Sequence, residues 1–204
     1  MINKYENSPA DRKLVEKALR GDTNALNAII KNTEGLVTQI IFKMISNIED
    51  RKDIAQDVYL KTFQNLYSFK FQSKLSTWIG QIAFNTCYSY FEKKKLILPG
   101  NSKNEKETYD EPLEIIGNKL IDISTNETEI QVFQRELSDI LNTEIDKLLP
   151  LYRTLITLYH NEDLSYTEIA QITGLPDGTV KNYLFRARKI LRDRILQNYK
   201  NELL

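Results

Sequence analysis

The chain has one cysteine, Cys87, and one histidine, His160. A single thiol excludes an intramolecular disulfide and fits a reducing compartment. One histidine, no cysteine cluster and no carboxylates at ligand spacing leave nothing to build a metal site from. There is no Walker-type glycine loop for phosphate. Neither catalysis nor a cofactor is therefore expected. The amino terminus, MINKYENSPADRK, lacks the apolar core of a signal peptide. No apolar run approaches the length of a bilayer span, so no membrane insertion is expected and the cytoplasm is the expected location. Glycine and proline are scarce, 7 and 5 among 204 residues. With frequent Leu, Ile, Lys, Glu and Asn, that scarcity favours an all-α protein.

Net charge is also lacking: 28 basic side chains balance 28 acidic ones. The balance hides an uneven distribution. Residues 1–95 hold 15 basic and 10 acidic groups, residues 96–136 hold 4 and 9, and residues 137–204 hold 9 and 9. In the last segment every base beyond residue 180 lies on or just after one helical stretch. An acidic middle thus masks two partly basic modules, a pattern compatible with nucleic-acid binding. The middle, Leu96 to Asn126, is rich in Pro, Gly, Asn, Ser and acids without sustained periodicity, and reads as a flexible linker.

What is present in strength is Leu164 to Arg194, LSYTEIAQITGLPDGTVKNYLFRARKILRDR. Ser165 with Glu168 forms a capping box. Ile169 and Ile172 are inward positions, and Gly174 stands where a left-handed C-cap is needed. Pro176 and Asp177 suit the first turn of the next helix. On that helix Val180, Leu184, Ala187 and Leu191 share one stripe. Asn182, Phe185, Arg186 and Lys189 share the opposite side, flanked by Lys181, Arg188 and Arg192. Two short helices, a glycine turn and a basic second helix make a helix-turn-helix, whose outer face carries the groups that read base edges in a major groove. The plainer reading is a helical hairpin with a solvated basic face.

Upstream, Ser8-Pro9-Ala10-Asp11 opens a first helix with Leu14, Val15, Ala18 and Leu19 inward. Asp22 caps a second, and a third is expected from about Glu34 to Ile45. Ser46 to Asp50 reads as a loop. From Asp53 to Leu66, one side carries Ala55, Val58, Tyr59, Thr62 and Leu66. The other carries Asp53, Gln56, Asp57, Leu60, Lys61 and Gln64. A leucine inside a polar rim is what a protein-docking helix presents, and equally what a solvated face with one stray leucine presents. The connection Tyr67 to Lys74 alternates aromatic, basic and polar residues. Ser76 or Thr77 should cap a long helix to about Lys95, with Trp78, Ile79, Ile82, Ala83, Thr86 and Tyr90 inward. Thr77, Gln81, Phe84, Asn85 and Tyr88 should face outward, where rings beside amides suit stacking on unpaired bases; packing under the N-terminal segment is the alternative. Leu113 to Ile123 is apolar enough to dock as a short element. After it come helical patterns from Glu127 and from Pro150, with His160 at a helix end.

Together these stretches resemble one family, the extracytoplasmic-function (ECF) group of sigma-70-type bacterial RNA polymerase sigma factors. DIAQDVYLKTF resembles the region 2.2 helix, KLSTWIGQIAFNTC the helix of regions 2.3 and 2.4, and LSYTEIAQITGLPDGTVKNYLFRARKIL region 4.2. The resemblance spans roughly Leu14 to Lys95 and Ile130 to Leu196. It implies an all-α chain of two helical domains, residues 9–95 and 127–198, joined by the linker at 96–126. It implies that Asp53, Gln56, Asp57 and Leu60 bind core RNA polymerase. Phe69, Lys70, Phe71, Gln72, Ser73 and Lys74 would form the loop holding a flipped minus-ten base of promoter DNA, and Thr77, Trp78, Gln81 and Asn85 would support the melted strand. Lys181, Asn182, Phe185, Arg186 and Lys189 would meet the minus-thirty-five duplex. Phe84 and Gly80 depart from a frequent family pattern of arginine and tyrosine at those positions. The resemblance also implies an anti-sigma factor as partner; with no additional domain expected before residue 10 or after residue 200, regulation by a fused sensor is not expected. The alternative is a stand-alone helix-turn-helix regulator, which would dimerise on a palindromic operator.

Overall fold

The computed structural model describes the backbone of residues 9–97 and 127–199, and the side chains of 9–93 and 137–198. The expected Ser8 cap, the linker from residue 98 onward and the apolar stretch 113–123 lie outside the described residues. Helix α1 (Pro9–Leu19) opens on its proline with Asp11 in the first turn, and buries Val15 and Ala18. Leu19, expected inward, is half exposed because the helix ends there. Gly21, at φ +85°, then reverses the chain.

Helix α2 (Thr23–Met44) corrects the sequence reading: the two expected helices are one. Asp22 caps it as expected, accepting from the Asn24 and Ala25 amides. The apolar stripe Ile29, Leu36, Ile40 runs unbroken through the weak segment around Gly35, so tertiary burial overrides local propensity. Buried Thr33 satisfies its hydroxyl by donating to the Ile29 carbonyl at 2.7 Å. Helix α3 (Ile48–Asn65) starts inside the expected loop, with Asn47 as N-cap accepting from the Glu49 amide. A 3₁₀ turn, Leu66–Ser68, leads to the connection before α4 (Leu75–Ile97). That helix begins ahead of Ser76 and Thr77, so neither caps it, and it continues two residues past Lys95.

Helices α5 (Glu127–Asp146) and α6 (Pro150–His160) precede the helix-turn-helix pair, α7 (Tyr166–Thr173) and α8 (Asp177–Tyr199). Leu155, Ile156 and Leu158 of α6 and Ile169 and Ile172 of α7 are buried with the α8 stripe Val180, Leu184, Ala187, Leu191. On α5, Leu137 and Leu141 stay partly exposed while Ile145 is buried. Helix is the only regular structure among the described residues. In the first module α4 packs on α2 and α3, and in the second α8 packs on α5, α6 and α7. The modules also pack on each other, α6 against α2 and α7 against α4.

Candidate polymerase-docking and DNA-reading surfaces

On α3 the period of the sequence places one face on the core and one in solvent. Val58, Thr62 and Leu66 are buried, as is Ile54, which the sequence reading passed over. Asp53, Gln56, Asp57, Leu60, Lys61 and Gln64 are all exposed, with Leu60 57% exposed at their centre. Polar neighbours surround an apolar side chain that the fold itself does not use. Lys61 also reaches across to α4, where its ammonium donates to the Thr86 hydroxyl at 3.3 Å.

The connection before α4 is held by aromatic packing. Phe69 is buried, its ring centre 4.8 Å from that of Phe71 and 5.2 Å from that of Trp78. Phe71 adopts φ +56°, a conformation uncommon outside glycine. Exposure alternates along the loop: Lys70, Gln72 and Lys74 are exposed, while Phe71 and Ser73 are half-buried. On α4, Asn85 and Tyr88 face solvent as expected, and Gln81 and Trp78 are half-buried. Two expectations fail here. Thr77 is only 2% exposed and Phe84 only 7%, where both should have faced outward. The reason lies in the second module. Gly80 sits three residues after Thr77 and four before Phe84, on the same stripe of the helix. A Cβ there would come within 3.1 Å of Ile172 from α7 and 3.3 Å of Leu36 from α2. The stripe is therefore covered by neighbouring helices.

The local chemistry of the helix-turn-helix follows the sequence closely. The capping box between Ser165 and Glu168 is complete, and Gly174 takes the left-handed conformation at φ +71°. Asp177 is tied back to α7 by the Thr167 hydroxyl at 3.1 Å. On α8, Lys181, Asn182 and Lys189 are exposed, and Phe185 and Arg186 are half-buried. Two cations lie over rings of neighbouring elements: Lys181 is 5.5 Å from the Tyr166 ring centre, and Arg188 is 4.9 Å from that of Tyr159. Arg188 also donates to the His160 imidazole at 3.3 Å. Burial, then the nearby Arg188 charge, hold His160 below its ordinary pKa, so it is neutral near pH 7. The lone histidine, exposed at the end of α6, thus accepts a hydrogen bond from Arg188.

Several side chains join the modules, and sequence reasoning missed them. Glu168 does more than cap: its second oxygen forms a 2.8 Å ion pair with Lys74 of the first-module loop. Burial pushes the Glu168 carboxyl up, but Lys74 and the Ser165 donors outweigh it and hold its pKa below the ordinary value. Lys43 pairs with Asp146 at 2.7 Å. Arg153 donates to the Lys43 carbonyl at the end of α2 and to the Asp146 carbonyl at 3.0 Å. Contacts over such separations have no local signature in sequence.

Comparison with known proteins agrees with this architecture. The family described as sigma-70 region 2 matches residues 29–97, and that described as sigma-70, region 4 matches residues 138–191. The ECF RNA polymerase sigma-E factor of Haemophilus influenzae is 32% identical over 187 residues, covering 91% of this chain and 95% of that protein. The ECF RNA polymerase sigma factor SigW of Bacillus subtilis is 30% identical over 184 residues, covering 90% and 96%. In fold, the chain is similar to CnrH, solved in complex with the cytosolic domain of CnrY, with a TM-score of 0.60 at 17% identity over 93% of this chain and 99% of the other. It is also similar to RpoE of Bartonella quintana, solved with the anti-sigma factor NepR, with a TM-score of 0.54 at 22% identity over 87% and 96%. Two modules matched in order, and relatives aligned along almost their whole length, make this chain a member of the ECF group of RNA polymerase sigma factors.

Proposed function

We propose a division of labour in which α3 docks the chain on core RNA polymerase, the 69–74 loop and α4 hold the melted minus-ten strand, and α8 reads the minus-thirty-five duplex. The carrying observation is the exposed Leu60 within its rim of Asp53, Gln56, Asp57, Lys61 and Gln64. An exposed leucine ringed by side chains that can hydrogen-bond has the anatomy of an interface centre. On α8, burial of Val180, Leu184, Ala187 and Leu191 leaves Lys181, Asn182, Phe185, Arg186 and Lys189 on the outward side. Cations, an amide and a ring there supply phosphate contacts, base-edge hydrogen bonds and a partner for the thymine methyl. In the loop and α4, Phe71 and Trp78 are joined through Phe69, and the same stretch exposes Lys70, Gln72 and Asn85, a set suited to unpaired bases and their phosphates.

As a sigma factor the chain directs initiation and leaves the chemistry to the polymerase. Binding energy for unpaired minus-ten bases favours the open duplex, so strand opening follows from differential affinity. The proposed place of action is the cytoplasm. No helix among the described residues is long and apolar enough to cross a membrane. By family likeness an anti-sigma factor joins promoter DNA and core polymerase among the proposed partners. The stand-alone regulator gains nothing from the comparisons, since the relatives match both modules in order.

The test pairs two variants after circular dichroism has shown both to be folded. Asp57→Lys reverses a charge beside Leu60 and should weaken capture of core polymerase. Arg186→Ala should leave capture intact and weaken transcription from the best minus-thirty-five sequence by about tenfold to a hundredfold, the loss of one arginine–guanine contact worth about 1–3 kcal/mol. Preference should relax at one base position. If Arg186→Ala abolished capture while Asp57→Lys changed only promoter choice, the surfaces would be assigned the wrong way round.

A further inference from the structure

We propose that α1 is a bracket for the minus-ten reader: Asp11 and Arg12 are positioning residues that hold the 69–74 loop and the start of α4 in one shape without touching DNA. The inference rests on the assignment of that loop to the minus-ten element.

Two independent contacts carry it. The first is a long-range cap. The amide of Leu75, first residue of α4, is one of the donors that a helix start leaves unsatisfied. It donates to the Asp11 carboxylate at 3.2 Å, across 64 positions of sequence. The acid that sequence assigns to the first turn of α1 thus fixes where α4 begins. The second contact is a stack. The Arg12 guanidinium lies 5.0 Å from the centre of the Phe71 ring. Phe71 meets Phe69, and Phe69 meets Trp78. Arg12, Phe71, Phe69 and Trp78 therefore run continuously from α1 through the loop into α4. Phe71 keeps φ +56°, and a bulky residue holds that conformation only when its surroundings over-determine it.

The consequence follows from the alternation in the loop. The bracket contacts Phe71 directly, Phe69 through it, and the Leu75 amide, leaving Lys70 and Gln72 exposed between the fixed points. Groups that discriminate one base from another must sit still, because misplaced partners lose the correct base's hydrogen bonds while non-specific contacts survive. Loosening α1 should therefore cost base preference, and should leave polymerase docking as it was.

The experiment measures binding of the holoenzyme to forked oligonucleotides carrying the minus-ten sequence of a promoter mapped with this chain, each position replaced in turn. Asp11→Ala and Arg12→Met should reduce preference for the best base at one position about 3–10-fold, the scale of one lost net hydrogen bond for the first and of one cation–ring contact for the second. Asp11→Asn, which keeps a carbonyl acceptor, should retain most of it. Capture of core polymerase and the salt dependence of binding should not change. A uniform loss across all sequences, with the salt slope lower by about one charge, would make Arg12 a phosphate contact and overturn the positioning role. Lys70→Ala and Gln72→Ala separate the bracket from the reading beneath it. If they relax preference while Asp11→Ala and Arg12→Met do not, the bracket is wrong and the loop assignment stands. If the loop variants are inert as well, the loop assignment fails and takes the bracket with it. Should Asp11→Ala fail to fold, Arg12→Met, which removes the cation over the Phe71 ring while keeping a side chain of similar length, decides alone.

Discussion

Cys87 shows what burial does to a reactive group at the scale of one residue. It is fully inside the first module, and burial pushes its thiol up to about 12, against smaller opposing effects of its hydrogen bond and of Lys61. At pH 8 such a thiol carries roughly a thousandfold less thiolate than a free cysteine, and the thiolate is the nucleophile. Alkylation of the native chain should therefore be at least about a hundredfold slower than that of the urea-unfolded chain, as followed by mass spectrometry. Labelling at the unfolded rate would mean that α4 opens from the core in the native state. Sequence could count this cysteine but could not bury it. The same limit applies to Thr77 and Phe84. Their helical phase was legible, but the phase does not say which neighbour covers a stripe, and here α7 covers the side taken as outward.

At the scale of elements, legibility tracks how local the causes are. The pair α7 and α8 was readable almost residue by residue, because a capping box, a left-handed glycine and a stripe of Val180, Leu184, Ala187 and Leu191 act within a few positions. Gly174 gives a clean test. A Cβ there meets nothing within 4 Å, so the cost of a side chain is purely that of its φ of +71°. Gly174→Ala should lower the stability of the helix-turn-helix by about 1–2 kcal/mol, with Gly174→Asn less affected. Urea unfolding followed by circular dichroism checks both, and equal stability of the alanine variant would mean that the turn is not held in this conformation. The failures at this scale have non-local causes. Helix α2 is one helix because Ile29, Leu36 and Ile40 are buried together, which outweighs weak propensity around Gly35. Helix α4 starts at Leu75 because Asp11, far away in sequence, accepts its amide. The docking face on α3 lies between these cases. Its exposure could be read from the period, while its use against polymerase rests on family likeness.

At the scale of the whole molecule, the two modules lie against each other partly through groups proposed above to meet DNA. Lys74, proposed above for the minus-ten strand, is paired with Glu168, and the α4 stripe of Thr77, Gly80 and Phe84 is covered. Under the proposed assignment, buried Thr77 meets a melted strand only if the modules part. The contact has a pH signature whose sign follows from Glu168. Its folded pKa is depressed, so its contribution is fully present above the unfolded value of about 4.3 and is lost as pH falls through the folded value. The arrangement should therefore be constant between pH 7 and about 5 and loosen only in stronger acid. A more decisive test acts at neutral pH through Gly80. A Cβ there approaches Ile172 to 3.1 Å and Leu36 to 3.3 Å, both ends of flexible side chains. Gly80→Ala needs shifts of only a few tenths of an ångström and should stay closed. Gly80→Leu adds three further heavy atoms with nowhere to go. Leu36 and Ile172 belong to one continuous buried cluster, but Ile172 is carried by α7 of the other module, so moving α7 away relieves the clash with less disruption within the first module. Small-angle scattering should show Gly80→Leu larger than the parent at pH 7, with its helix content unchanged. If it instead stays compact and the first module loses stability, the strain is relieved inward through Leu36, and the ion pairs Lys74–Glu168 and Lys43–Asp146, the Arg153 hydrogen bonds and the packing of α6 on α2 hold the modules together against it.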